Sequence, residues 1–209
     1  MEPHPVRFWV DYPDRPLNRM TSAFRIFTAI PILILIGLLE HANASFRSGG
    51  GRGTWLMVGT AGGAVVIPVV LMLLFRQKYP RWWFDWNLEL NRFANRVAAY
   101  WFLMDDRYPS TDEHQAVHLE YPEVSGPELS RGLPLVKWLL AIPHYVVLLF
   151  LWLATIFVLI YVWFAILFTG RYPRGAFDFV EGVMRWGNRV TGYAFSLVTD
   201  VYPPFRLSA

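Results

Sequence analysis

The sequence predicts an all-α integral membrane protein made of two tandem repeats, each a transmembrane helical hairpin followed by an amphipathic interfacial helix. Paired motifs are the first observation behind this expectation. Val6-Arg7-Phe8 and Asp11-Tyr12-Pro13-Asp14 return as Val117-His118-Leu119 and Glu120-Tyr121-Pro122-Glu123. Ala29-Ile30-Pro31 returns as Ala141-Ile142-Pro143, Lys78-Tyr79-Pro80-Arg81 as Arg171-Tyr172-Pro173-Arg174, and Asn95-Arg96 as Asn188-Arg189. Asp106-Arg107-Tyr108-Pro109 returns as Asp200-Val201-Tyr202-Pro203. Self-similarity at this spacing marks a structural unit used twice. Long uncharged runs are the second observation: Ile26–Leu39, Thr54–Phe75 and Trp138–Gly170 contain no Asp, Glu, Lys or Arg. A charge at the centre of a bilayer helix costs about 2.5–3.5 kcal/mol on insertion scales, so such gaps are a membrane signature.

The third observation is the helical period after each apolar run. Trp86, Leu90, Phe93, Val97, Tyr100, Trp101 and Met104 are spaced by three or four, opposite Asp85, Glu89, Arg92 and Arg96. From Phe177 onward, Phe179, Val183, Trp186, Val190, Tyr193 and Leu197 repeat the pattern against Asp178, Glu181, Arg185 and Arg189. Each segment is an amphipathic helix, suited either to lying in the membrane interface or to packing on its twin.

The elements follow in order. The first repeat covers residues 1–109, with helices at about 23–40 and 54–75 and an interfacial helix at 84–104. Val6 to Val10 alternates as a short strand or an extended arm would, and Thr21 or Ser22 caps the first helix. Ala42-Asn43-Ala44 resembles a signal-peptidase site, but Asp11 and Asp14 precede the run and the run recurs in the second copy, so a retained helix is expected. Gly59, Gly62 and Gly63 let a neighbouring helix approach the second apolar helix closely. Residues 110–134 form a polar linker and the start of the second repeat.

Residues 135–209 complete the second repeat, with a hydrophobic hairpin at about 136–169 and an interfacial helix at 177–198. As one helix, Leu135–Thr169 would extend about 52 Å, well beyond a ~30 Å hydrocarbon core. Phe24–Glu40 aligns with Val136–Trp152 and Phe75 with Phe168, which places the turn at Ala154-Thr155. With a hairpin there and both termini inside, only Arg47 and Arg52 lie outside, as the positive-inside rule prefers. A single crossing remains the alternative, because Pro143 to Gly170 contains no internal Gly, Pro, Asn or Asp to make a turn.

Composition agrees with membrane residence. Hydrophobic residues make up 55% and charged residues 17% of the chain, against about 25% charged in ordinary soluble domains. The chain has no cysteine, which excludes disulfides and thiolate chemistry. A net charge of +3 without a basic stripe gives no basis for nucleic-acid binding.

Candidate sites are few. The motif Lys/Arg-Tyr-Pro-Arg ends an apolar helix and starts the next. Its cations Lys78, Arg81, Arg171 and Arg174 either serve as structural stops or bind lipid or phosphate headgroups. Tyr79, Trp82, Trp83, Trp86, Tyr172 and Trp186 are candidate interface anchors. His144 sits within an apolar run, but Ile32 takes its place in the first copy, so a satisfied or interface-facing histidine is expected. No catalytic group, metal site or cofactor signature is evident.

Trp163-Phe164-Ala165-Ile166-Leu167-Phe168-Thr169-Gly170-Arg171-Tyr172-Pro173-Arg174-Gly175, with Leu140-Ala141-Ile142-Pro143-His144 and Asp200-Val201-Tyr202-Pro203-Pro204-Phe205, resembles the domain of unknown function numbered 4389. The first copy resembles a degenerate version, with Gln77-Lys78 and Trp82-Trp83 in place of the usual Gly-Arg and Gly-x. The resemblance implies a bacterial inner-membrane protein with no known activity; the hairpins and the charge count predict a multi-pass chain with both termini cytoplasmic. The functional expectation is a non-catalytic accessory or scaffold subunit that contacts lipid headgroups, partnered by membrane lipids and other integral membrane subunits. The alternatives are a small transporter or lipid-handling protein and, behind it, a membrane enzyme acting on headgroups.

Overall fold

The computed structural model describes residues 4–25, 27–32, 34, 63–76, 78–111, 113, 115–124, 129–130 and 132–208. The described elements are β1 (Arg7–Val10), α1 (Arg19–Ala23), α2 (Gly63–Arg76), α3 (Arg81–Trp101), β2 (Val117–Glu120), α4 (Leu133–Leu140), α5 (Ile142–Thr169) and α6 (Arg174–Ala194). The structure is mostly helical but not all-α. Val6-Arg7-Phe8 and its counterpart Val117-His118-Leu119 meet as an antiparallel pair, with Phe8 opposite Leu119 and Trp9 opposite His118. The 110–134 segment therefore supplies a strand, with Val117, Leu119 and Tyr121 in the core. A two-stranded sheet is marginal alone; this one is held by packing on α3 and α6.

The second apolar run is not a hairpin. α4 and α5 follow one another through Ala141, and Ala154-Thr155 lies inside α5. Thr155 donates its hydroxyl to Leu151 O at 2.8 Å, satisfied by its own helix. The reason is local: nothing between Pro143 and Gly170 favours a turn, and the first left-handed residue is Gly170, with φ 73°. That glycine caps the helix by donating its N–H to Ile166 O at 2.8 Å. Leu133–Thr169 is the one described stretch long and apolar enough to cross a membrane, and only 17% of its most apolar window is buried. The charge count that favoured a hairpin loses its basis with the hairpin itself.

The first helix also starts earlier than expected. Asn18, not Thr21 or Ser22, caps α1, its side chain accepting from Met20 N and Thr21 N. Residues 27–32 continue as helix, and the stretch 35–62, with Gly59 and Gly62, lies outside the described residues.

Both amphipathic helices begin at the arginine of their motif. Pro80 and Pro173 take the cap position with near-identical dihedrals, φ −66° ψ 126° and φ −63° ψ 126°. Proline cannot continue the preceding helix, yet its fixed φ suits helix entry. The two helices touch through a reciprocal amide pair. Asn95 Nδ2 donates to Asn188 Oδ1 and Asn188 Nδ2 to Asn95 Oδ1, each at 2.8 Å. The sheet is tied to them in matched fashion: Arg92 Nε donates to Leu119 O at 3.0 Å and Arg185 Nε to Phe8 O at 2.9 Å.

α6 is buried on two sides. One side faces β1, and Leu207 crosses it so closely that a Cβ on Gly182 would lie 2.8 Å from Leu207 Cβ. Arg185 and Arg189 hold this tail through the carbonyls of Leu207, Arg206 and Ser208. Burial, together with the charges of Arg185 and Arg206, pushes Arg189 down to about 10. The other side of α6 carries α5, running antiparallel. Near the start of α5, Leu148 packs with Trp186 and Val190; near its end, Val162 and Ile166 join the cluster of Phe177 and Val180. The buried residues His144, Leu148, Thr155, Val162 and Ile166 recur at four or seven, so one stripe of α5 is covered along its whole length.

Asn95→Ala is expected to cost about 1–3 kcal/mol, because it leaves the buried amide of Asn188 short of a partner. Denaturation of the single and double alanine variants in detergent would show a coupling well above the ~0.5 kcal/mol seen for independent sites.

Candidate functional site

The exposed surface opposite the buried stripe of α5 is almost wholly apolar. Leu149, Phe150, Leu153, Ile156, Phe157, Ile160, Tyr161, Phe164 and Phe168 are exposed, Phe157 at 73%. Met20, Phe24, Phe27, Ile30, Leu71, Phe75, Trp138 and Leu139 carry the same character onto α1 and the helical residues after it, α2 and α4. A soluble monomer rarely shows a continuous apolar patch beyond a few hundred Å². The side of the molecule carrying the sheet instead exposes Arg7, Asp11 and Glu120.

Two cations lie buried where this apolar layer meets α3 and α6. Lys137, fully buried, donates to Thr199 O at 2.8 Å and pairs with Asp200 at 2.6 Å. Its ammonium also sits 5.2 Å from the Tyr193 ring. Burial raises the Asp200 carboxyl, but the hydrogen bonds from Lys137 and the Ser130 N–H and the lysine's charge outweigh it and hold the group below the usual 3.8. Arg25, 2% exposed, occupies the corresponding place in the first half of the chain. Its Cζ lies 4.2 Å from the Tyr100 ring and its Nη1 donates to Tyr100 O and Asp105 O. Neither residue was singled out from sequence. The available signal was one cation at the same place near the start of each apolar run.

The motif cations are not brought together. Tyr79 donates its hydroxyl to Ser196 O, which sets the start of α3 beside the end of α6. α6 runs about 31 Å at 1.5 Å per residue, so Lys78-Arg81 and Arg171-Arg174 lie at opposite ends of the helix pair. Lys78, Arg81 and Arg171 are exposed, while Arg174 covers the Tyr12 ring at 4.4 Å and faces Asp178 at 3.4 Å. The motif cations thus stand at two separate helix starts.

The aromatic anchors divide. Trp82 and Trp86 are exposed, and Tyr79 is half-buried. Trp83, Tyr172 and Trp186 are core residues, at 1%, 1% and 5% exposure, because they fall on the faces of α3 and α6 turned inward. Burial pushes the Tyr172 hydroxyl well above its ordinary value, and Tyr121 up to about 12. Gly63 opens α2.

His144 is a buried, not an interface-facing, residue. Its Nδ1 accepts from Trp186 Nε1 at 3.1 Å, which places the ring proton on Nε2. Phe205 stacks on the ring at 4.0 Å and Tyr202 approaches at 4.8 Å, so the histidine joins α5 to α6 and the tail. Among the described residues no cluster of His, Asp or Glu could hold a metal ion.

No curated protein and no solved structure matches the chain. Residues 134–206, which contain all of α4 but Leu133, together with α5, α6 and Asp200, match the model of a family described as Domain of unknown function (DUF4389).

Proposed function

We propose that this chain is a non-catalytic, lipid-contacting membrane protein built from two tandem copies. Its apolar helical layer is embedded in the bilayer, α3 and α6 sit at headgroup depth, and the sheet faces water. The observation that carries this reading is the two-sidedness of α5. One stripe is packed on α6 over its full length, and the opposite face is bare phenylalanine, leucine and isoleucine.

α5 cannot stand upright in a bilayer unless α6 does too, and α6 carries Asp178, Glu181, Arg185 and Arg189. The geometry therefore favours α5 lying along the membrane surface with its bare face in the hydrocarbon, over a crossing of the bilayer by this helix. His4 and Val201 O are 3.4 Å apart, which puts the two ends of the described chain on one side. We assign that side to the cytoplasm of a bacterial inner membrane. Lys78, Arg81, Arg171 and Arg174 then reach headgroups from two separate edges.

The bare face also bears on whether lipid or another membrane subunit covers it. Helices that pack in membranes favour small residues at the contact. Phe150, Phe157 and Phe164 instead recur every seventh residue, a surface suited to acyl chains.

Flotation with liposomes tests the reading. Phe150→Glu with Phe157→Glu is expected to reduce bilayer association by at least tenfold and leave the detergent-solubilised fold intact, since both side chains are exposed. Unchanged flotation would overturn it. Isolation from native membrane in mild detergent separates the two covers: a stoichiometric partner chain supports an accessory subunit, and a lone protein retaining lipid supports a face covered by acyl chains.

A further inference from the structure

We infer that Arg25 and Ser22 form a binding site for the acidic head of a single lipid whose chain lies in the groove beside α5. This inference rests on the proposed membrane placement and adds a ligand to it.

The groove encloses about 660 Å³ between α1, the end of α3 and the middle of α5. Trp101, Ile156, Ile160, Trp163 and Phe164 give it apolar walls, and Arg25 and Ser22 stand at its polar end. Both polar residues are almost wholly buried, with exposures of 2% and 1%. Arg25 uses only Nη1 for protein carbonyls. Its Nε and Nη2, and the Ser22 hydroxyl, have no hydrogen-bond partner among the described residues. Nε and Nη2 form one edge of the guanidinium, the edge that presents two parallel N–H groups to two oxygens of one carboxylate or phosphate.

Comparison with Lys137 shows why this position accepts an anion. In the second half of the chain Asp200 closes on the buried cation at 2.6 Å. The matching carboxylate in the first half, Asp106, is engaged elsewhere: it accepts from Arg15 and, at 3.4 Å, from Asn18 N. Asp105 is likewise bound to Arg107 at 3.0 Å. No described carboxylate bonds to Arg25; Asp105 and Asp106 act on it only from a distance, and its direct partners are carbonyls and a tyrosine ring. A buried cation of this kind is costly unless paired. An anion with one apolar chain satisfies both ends of the groove. A free anion satisfies only one.

The test uses the full chain in detergent, with native mass spectrometry reading retained lipid. Phosphatidylglycerol and oleate supply the acidic head as phosphate or carboxylate, phosphatidylcholine of equal chain length is the uncharged control, and inorganic phosphate is the chainless one. The expected result is at least tenfold tighter retention of one acidic lipid than of phosphatidylcholine, with the better of the two identifying the head. Arg25→Gln is expected to abolish that preference. Ile160→Trp, which fills the groove and leaves Arg25 in place, is expected to abolish retention, and it decides the matter if Arg25→Gln fails to fold. Equal retention by wild type and by Ile160→Trp would overturn the proposal, as would displacement of the lipid by millimolar phosphate alone. Liposome flotation of the same variants should stay at the wild-type level. Loss of flotation by the wild type would sink the membrane placement, whereas loss of lipid selectivity with flotation intact would sink only this site.

Discussion

Asp200→Ala is expected to destabilise the protein by about 3–5 kcal/mol, among the largest effects of any single change. The loss comes less from the ion pair itself than from what remains. Lys137 has no exposed surface and would have either to hold its charge beside one carbonyl and the Tyr193 ring or to give up its proton, and both are costly. The double variant Lys137→Met with Asp200→Ala should recover most of the loss, because methionine fills the stem of lysine without a charge to solvate. Thermal or denaturant unfolding in detergent measures all three variants, and a double variant no better than Asp200→Ala would contradict the account.

The same pair sets an acid limit. Asp200 is held below the usual carboxylate value in the folded state. Its contribution is therefore complete above about pH 4, the ordinary unfolded value, and is lost as pH falls through the depressed folded value. The wild type should lose stability more steeply than the double variant below about pH 4, and the two should run parallel from there to neutral pH, short of the range where Lys137 titrates.

Phe8→Ala is expected to cost about 3–5 kcal/mol by transfer and cavity terms together. Phe8 is 3% exposed, stands opposite Leu119 in the ladder, and packs in the cluster that holds Tyr172, Phe177 and Val180. Its carbonyl also accepts from Arg185, so collapse of the site would disturb the link between β1 and α6. The neighbouring Arg7, exposed on the other face of the strand, should tolerate alanine within about 0.5 kcal/mol. Equal losses at the two positions would show that β1 contributes through its backbone alone.

The sequence made the paired motifs legible, and the structure brings several of their residues into direct contact. Phe8 faces Leu119, Asn95 meets Asn188, and Arg92 and Arg185 make corresponding bonds. Contact between the amphipathic helices was one of two readings their period allowed, but nothing in the spacing revealed that the strands meet, because a repeat says what is similar and not what touches. The amphipathic helices were legible from their period, while their starts fell three residues early because proline can cap from outside the helix.

The hairpin expectation failed for a physical reason already present in the residues. Charge counting rewards any topology that gathers cations on one side, and it outweighed the absence of a turn former between Pro143 and Gly170. The sites were harder still. Trp82 and Trp83 are adjacent and chemically identical, yet one is exposed and the other buried, which only the rotation of α3 decides. Arg25 looked like one more flanking cation; its importance depends on where the carboxylate of Asp106 turns.

The meeting of distant segments has a consequence for synthesis. Leu17 N bonds to Gly170 O, β1 needs Val117–Glu120, and His4 reaches Val201. The amino-terminal residues thus complete their contacts only when nearly the whole chain has left the ribosome. Until then the apolar faces of α1 and α2 have no α5 or α4 to cover them. Such non-local closure is slow. A chain stopped after residue 132 would keep the β1–β2 pair and its packing on α3 but lack α4, α5 and α6, against which α2, α1 and β1 pack, leaving an aggregation-prone fragment.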